Sequence, residues 1–459
     1  MLRACLLALL ALAPVQALAE ARVPSSQAEI TLSFAPLVKQ AAPAVVNIYA
    51  SRVVQARSPF ADDPLFGNLF RDFGTPRPRV QNSLGSGVIL SEDGIVVSNY
   101  HVIGQATDIK VVLNDRREYS ATVLLADEET DLAILKLDQA TDMPFLTLRD
   151  SDTVEVGELV LAIGNPFGVG QTVSSGIVSG LARSGTATGN ARGYFIQTDA
   201  PINPGNSGGA LIDVAGRLIG VNTSILTRSG GSNGIGFAIP ADMVAQFVRQ
   251  ARQGLTGFER PWAGILGQPV DAGLSEHLGL STPGGVIIAD LHPASPFAQA
   301  GLMPGDVITA VDGQPVNTPP EMIFRMSVVG IGEVAHVTRV RDGAMDEVEV
   351  TMIAPPDSPP RDATTLGNRD VLTGLSLARA NPAVISELGL PLGSDGVVVT
   401  DPGPLGARIG LQPGDIIRAI GRDNIDAPSQ VGPALRRAAP RILIEAQRGG
   451  QRLILRFRT

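Results

Sequence analysis

An eleven-residue segment occurs twice in this 459-residue chain, and self-similarity of that kind means a duplicated folding unit. Gly301-Leu302-Met303-Pro304-Gly305-Asp306-Val307-Ile308-Thr309-Ala310-Val311 returns as Gly410-Leu411-Gln412-Pro413-Gly414-Asp415-Ile416-Ile417-Arg418-Ala419-Ile420, with seven identities. Each copy follows a β-rich run, Gly285 to Ala289 and Gly396 to Thr400, at nearly the same distance. Pro-Gly makes a turn and the apolar residues after it enter a strand, so the repeat reads as a signature of fold and not as a ligand site. The stretch Ala354 to Arg369, with Pro355-Pro356 and Pro359-Pro360, is expected to separate the copies as a semi-rigid spacer.

Two such copies leave a long N-terminal region, and the length as a whole suggests roughly three domains. Glycine (51) and proline (34) are plentiful and aromatic residues make up 4%, which favours short strands and tight turns over helical bundles. A mostly β protein is predicted.

Met1 to Ala19 reads as a secretory signal. Arg3 supplies the positive start, Leu6 to Ala13 the apolar stretch, and Ala17-Leu18-Ala19 the small-residue cleavage site. Pro14 interrupts the apolar stretch, which falls short of the roughly 20 residues that span a membrane. Cleavage would remove Cys5, the single cysteine, and with it any disulfide or thiolate metal site. The net charge of −9 offers no basic patch for nucleic acid, and His101, His277, His292 and His336 are too scattered for a metal site. No cofactor is expected.

Residues from about Phe34 to Ala251 read as the first domain, with apolar runs at Ala44 to Tyr49, Gly87 to Val97, Ile109 to Leu113, Leu132 to Leu137 and Leu159 to Ile163. Glu92-Asp93-Gly94 marks a hairpin turn, and His101 follows that hairpin. The segment Gln55 to Asn82, with several prolines and the aromatics Phe60, Phe66, Phe70 and Phe73, is expected to be a long loop for assembly or regulation, or simply a mobile surface loop.

Ser207 lies in Gly205-Asn206-Ser207-Gly208-Gly209, and the first 260 residues contain one histidine, His101. A serine hydroxyl is a poor nucleophile until a base takes its proton, so a serine hydrolase built here must use His101. The glycines let successive N–H groups converge on one point, which assigns an oxyanion hole to Gly205 and Ser207 with Asn206 contributing. The third member must be a carboxylate that orients the imidazole. Asp131 leads the apolar run Leu132-Ala133-Ile134-Leu135, where an acid is costly unless paired, whereas Asp108, Asp115 and Asp127 sit in polar surroundings.

The order His101, Asp131, Ser207 is that of chymotrypsin-type proteases. The chain resembles the HtrA (Do/Deg) family of serine proteases in five separated motifs. These are Leu84-Gly85-Ser86-Gly87-Val88-Ile89, Ser98-Asn99-Tyr100-His101-Val102, Thr130-Asp131-Leu132-Ala133, Ala162-Ile163-Gly164-Asn165-Pro166-Phe167-Gly168 and Gln197 to Gly209. The resemblance implies a chymotrypsin-like double β-barrel at 34–253, followed by two PDZ β-sandwich domains at 258–354 and 370–459 with 355–369 as linker. It implies an ATP-independent endopeptidase in the periplasm that degrades unfolded or misfolded exported proteins, preferring small aliphatic side chains before the cut. The rival expectation is a holdase chaperone with secondary proteolysis.

Ile202 is expected in the wall of the substrate pocket, Asp199 in a structural role, and Arg183 where the family has a loop arginine that relays an activating signal. Departures are Tyr100, where many relatives carry Asn or Gly, and the poorly patterned Gln55 to Asn82. PDZ modules capture a peptide C-terminus by adding it as a strand to a sheet edge. The carboxylate-binding loops are expected at Ala263-Gly264-Ile265 and Gly374-Leu375-Ser376, with a buried first strand as the alternative, held as evenly for the second module. Expected partners are unfolded polypeptides, C-terminal peptides, and further copies of the chain in a homotrimer or larger cage, with peripheral membrane contact. His277, His292 and His336 fall in the first PDZ copy and are expected to be packed or surface residues.

Overall fold

The computed structural model describes residues 33–55, 78–165, 170–184, 194–203, 205–225, 233–278, 280 and 282–459. They divide into two compact units, the first holding most of the described residues up to Gly257 and the second those from Phe258 to Thr459.

The first unit contains two closed six-stranded barrels. One is formed by β1 (Val45–Gln55), β2 (Pro78–Ile89), β3 (Ile95–Ser98), β4 (Asp108–Val112), β5 (Glu118–Asp127) and β6 (Leu132–Leu137), in the order β1-β2-β3-β6-β5-β4. The other is formed by β7 (Leu159–Gly164), β8 (Thr172–Ser184), β9 (Tyr194–Thr198), β10 (Ala210–Asp213), β11 (Leu218–Ile225) and β12 (Gly236–Pro240), in the order β10-β11-β12-β9-β8-β7. The predicted apolar runs became barrel staves. β4 alternates in and out, so Ile109 and Val111 reach the core while Asp108 and Lys110 face out. The continuous apolar run of β6 is buried on both faces apart from Lys136.

The hairpin at Glu92-Asp93-Gly94 forms as expected, with Gly94 at φ 82° and the Leu90 N–H donating to Ile95 O at 2.8 Å. The expected loop Gln55 to Asn82 is shorter than its composition suggested. β1 and β2 pair all the way to Gln55 opposite Pro78, so both ends of that segment are strand. The four phenylalanines singled out in it lie outside the described residues.

The second unit contains two sheets of like design. In module 1, β13 (Ile265–Pro269), β14 (Val286–Leu291), β15 (Val307–Val311), β16 (Gln314–Pro315), β17 (Val334–Arg341) and β18 (Ala344–Thr351) run in the order β13-β14-β15-β17-β18, with β16 beside β15. In module 2, β19 (Thr364–Thr365), β20 (Ser376–Arg379), β21 (Val397–Asp401), β22 (Ile416–Ile420), β23 (Asp423–Asn424), β24 (Arg441–Arg448) and β25 (Gln451–Arg458) run β19-β20-β21-β22-β24-β25, with β23 beside β22.

Both copies of the eleven-residue repeat use their aspartate in the same way. Asp306 and Asp415 are buried, and each closes its Pro-Gly turn by accepting the N–H of Met303 or Gln412 at 2.9 Å. A buried carboxylate needs a cation as well. Arg341 gives Asp306 two bonds of 2.6 Å, and Arg448 gives Asp415 bonds of 2.7 and 2.8 Å. Burial alone would raise the Asp306 carboxyl, but Arg341, the Met303 N–H and Arg339 outweigh it and hold it below the usual carboxylate range. Each arginine also donates to the carbonyl of the first glycine of its repeat, Gly301 or Gly410.

The Pro-rich stretch Ala354 to Arg369, expected as a semi-rigid spacer, is partly tied down. Its second half, from Arg361 to Leu366, is hydrogen-bonded to module 2.

Candidate active site

His101 projects from a short helix, Tyr100–Ile103, entered directly from β3. Asp131 occupies the tight turn between β5 and β6, at φ 59°. That left-handed conformation is uncommon outside glycine and costs on the order of 1 kcal/mol. It lets both polar ends of Asp131 face the histidine helix. Its carbonyl accepts Asn99 Nδ2 at 2.9 Å and the Tyr100 N–H at 3.2 Å. Its carboxylate accepts the His101 backbone N–H at 3.0 Å and lies 2.9 and 2.8 Å from His101 Nδ1 through its two oxygens. The imidazole is thereby held through Nδ1, and its Nε2 makes no hydrogen bond among the described residues. Asp131 is partly rather than fully buried, its side chain 21% exposed against 51% for His101.

Ser207 is presented by the loop before β10. The Gly208 position, at φ 82°, has no room for a side chain, since a Cβ there would lie 2.0 Å from Ser86 O and 2.6 Å from Ser98 Oγ. A Cβ on Gly209 would lie 2.2 Å from Ile163 O. The two glycines let the serine loop press against β2 and β7. The Ser86 N–H donates to Ser207 O at 2.9 Å and Ser86 Oγ donates to Gly205 O at 2.7 Å, tying the loop to the first barrel.

No acceptor among the described residues takes the N–H of Gly205 or of Ser207, the donors on either side of Asn206 in the serine loop. Asn206, expected to add a third, gives its N–H to Asn203 O at 2.9 Å, and its Oδ1 accepts Thr172 Oγ1 at 3.1 Å. It stiffens the loop and has no free backbone donor.

Thr223, on β11, was not singled out from the sequence. Its hydroxyl donates to Asp131 Oδ2 at 2.6 Å, and its carbonyl accepts Ser207 Oγ at 2.9 Å. The one available signal was polarity: Asn222-Thr223 interrupts the apolar β11. In this state the serine proton points to Thr223, while His101 is engaged with Asp131. Through Thr223 the three predicted side chains are linked in one hydrogen-bonded set, and among the described residues Ser207 Oγ makes no hydrogen bond to His101. Beside His101 a groove of about 260 Å³ opens, lined by Ala50, Ser51 and Ser83 and by the helix and turn from His101 to Ala106.

The other predicted positions fall as follows. Ile202 is 1% exposed, in the core of the second barrel against Gly236. It offers little surface to a ligand in this state. Asp199 accepts the Ile177 N–H at 2.7 Å, a strand-to-strand tie. Arg183 falls in β8, and its side chain lies outside the described residues. His277, His292 and His336 all lie in module 1. Gly264 and Gly374 hold matching places before β13 and β20, at φ 61° and 84°. The N–H of Gly264 meets no acceptor among the described residues, whereas that of Gly374 donates to Leu366 O at 2.9 Å.

A model of the trypsin-like peptidase domain matches residues 85–221, and a PDZ domain model matches residues 248–352. The chain is 39% identical over 428 residues to a probable periplasmic serine endoprotease, DegP-like, of Halomonas elongata, covering 89% of this chain and 88% of that one. It is 34% identical over 431 residues to the periplasmic pH-dependent serine endoprotease DegQ of Escherichia coli, covering 93% and 91%. A solved structure of the HtrA-type protease AlgW with a decapeptide is 40% identical and covers 72% of this chain and all of that one, with a TM-score of 0.52.

Proposed function

The chain belongs to the HtrA family of serine endoproteases, and from that premise we propose that it cleaves unfolded polypeptides with Ser207 as nucleophile, His101 as base and Asp131 as orienter. The observation that carries this reading is the double contact of His101 with Asp131, through the backbone N–H and through Nδ1. It leaves Nε2 as the atom that can take a proton.

Attack requires one rotation. Ser207 Oγ leaves Thr223 O and turns to Nε2, which accepts its proton as the oxygen bonds to the scissile carbonyl carbon. The resulting oxyanion sits against the N–H groups of Gly205 and Ser207. His101 then returns the proton to the leaving amine, and water repeats the cycle on the acyl-enzyme. Thr223 supports the site through Asp131, donating its hydroxyl to the carboxylate that holds the imidazole.

The relatives' names place them in the periplasm, and residence of this chain there, after removal of a leader ending near Ala19, is part of the proposal. So is assembly into a trimer or larger cage. PDZ modules of this kind take peptide ligands, which the protease would read as a regulatory signal.

Ser207→Ala is expected to lower hydrolysis of unfolded casein by roughly 10⁶-fold while leaving the circular dichroism unchanged. Ordinary turnover by that variant would remove Ser207 from the chemistry.

A further inference from the structure

Module 2 carries its own occupant. β19 pairs antiparallel with the outer edge of β20, with Thr364 opposite Leu377 and Thr365 opposite Ser376. The segment runs toward the glycine loop that precedes β20, the direction in which a peptide C-terminus approaches such a loop when it adds to a sheet edge. At its leading end the Leu366 N–H donates to Leu375 O at 2.9 Å, and Leu366 O accepts the Gly374 N–H at 2.9 Å. That carbonyl stands where a terminal carboxylate would. The neighbouring Leu375 N–H is spent on Leu372 O at 3.1 Å.

The side chain of Leu366 completes the likeness. It is 5% exposed and belongs to the core that includes Leu372, Leu375, Val431 and Leu435. The last two lie on the helix Pro428–Ala438. A Cβ on Gly432 of that helix would lie 3.3 Å from Leu366 Cδ2, so the groove is filled to contact distance. Upstream, Thr365 Oγ1 and Ser376 Oγ are 2.9 Å apart, the Arg379 N–H donates to Arg361 O at 2.6 Å, and Arg379 Nη2 pairs with Asp362 at 2.9 Å. Backbone, side-chain pocket and charge all engage the segment.

We propose that residues 361–366 are a built-in ligand of module 2, so that this groove recognises an internal extended segment with leucine in its pocket and is closed to C-terminal peptides. Capture of peptide C-termini then falls to module 1, where no strand pairs with the outer edge of β13 among the described residues. Only seven residues separate Leu366 from Gly374. The segment therefore competes at the high effective concentration of a short tether, on the order of millimolar or above.

The inference rests on the reading of the two sheets as peptide-capturing modules, and the test separates the two. The full chain carries Ser207→Ala to prevent cleavage and Cys5→Ser to remove the native thiol. The probe is a fluorescein-labelled decapeptide ending in a leucine with a free carboxylate, and its amidated form serves as control. Thr365→Cys with Ser376→Cys is expected to close a disulfide on oxidation and to leave one bound peptide per chain, unchanged from the unlocked protein. Leu366→Asp is expected to raise the count from one to two.

Because Leu366→Asp can also loosen module 2, deuterium exchange on the peptide spanning 361–376 of the otherwise unaltered chain provides the ligand-free arm. Protection there should match that of β20. Two peptides bound before any change at Leu366, a fall in binding on locking, or exchange of 361–366 at the rate of an open linker would each overturn the proposal. No binding in any variant, with 361–366 still protected, would instead sink the peptide-capture reading while the internal pairing stood.

Discussion

Modules 1 and 2 share their buried acid and their left-handed glycine, and differ at one sheet edge. Asp306 and Asp415 make the same turn bond and the same double arginine contact, so the repeated sequence builds the same hinge of the fold twice. At the glycine loop the copies part. Among the described residues the Gly264 N–H has no acceptor, while Gly374 gives its own to Leu366. Duplication conserves what the fold needs, namely a satisfied buried charge. The edge strand is free to acquire a different use, because pairing there adds hydrogen bonds without disturbing the core.

The strongest way to break the likeness is to remove its shared element. Asp306→Ala is expected to cost module 1 roughly 3 kcal/mol, since it strips Arg339 and Arg341 of a buried partner and leaves the turn N–H of Met303 unsatisfied. Trp262, the single tryptophan, lies in module 1, so its fluorescence during urea unfolding reads this loss. Asp415→Ala should leave the Trp262 transition in place and lower the stability of module 2 by a like amount, followed by circular dichroism. A much larger effect of one than of the other would end the claim that the two turns are equivalent.

The difference at the edge gives a smaller effect. Leu366→Ala removes a buried leucine from module 2 and is expected to cost about 2–3 kcal/mol. Leu266, on the open edge of module 1, is 57% exposed, and Leu266→Ala should change stability by less than about 0.5 kcal/mol. Equal costs in the two unfolding curves would mean that the edges are not differently occupied.

The smallest effect contrasts the modules' acids with one that has no cation partner among the described residues. Asp242, at the start of the helix Ala241–Arg252, is pushed up to about 6, first by burial and then by Asp150 and Asp152, against the N–H bond it accepts from Ser151. The folded chain therefore binds a proton more tightly than the unfolded chain, whose carboxyl keeps the ordinary value of 3.8. The favourable contribution is complete below that ordinary value and is lost as pH rises through about 6. Asp242→Asn is expected to raise Tm by about 1–3 °C at pH 8 and to give no gain near pH 4. Scanning calorimetry at both values checks it, and a gain at pH 4 alone would reverse the sign.

Much of this was legible in the chain. His101 and Ser207 could be paired because a serine nucleophile needs a base and the first 260 residues hold one histidine. Asp131 stood out because an acid at the head of an apolar strand must be compensated. The site's remaining members were not legible. Thr223 reaches Asp131 across 92 positions of sequence, on a strand whose polar residues have no local pattern to mark them. Asn206 looked like a donor until the loop's own turn claimed its N–H. Ile202, expected as a pocket wall, is packed in the core of the second barrel, a burial that only barrel closure sets.

The linker shows the same limit in another form. Its prolines argued for a semi-rigid spacer, and proline does set local backbone shape. What Thr364, Thr365 and Leu366 do depends on the presence of an unpaired strand edge and an apolar groove nearby, and neither is written in those residues. Sequence alone determined the duplication, the mostly β character and the catalytic residue types, because these follow from local propensity, turn chemistry and reactivity. Which edge is filled, where the serine proton rests and which N–H groups remain free were decided only by the tertiary structure. Hydrogen bonds are satisfied by whatever folding brings within about 3 Å, however distant along the chain.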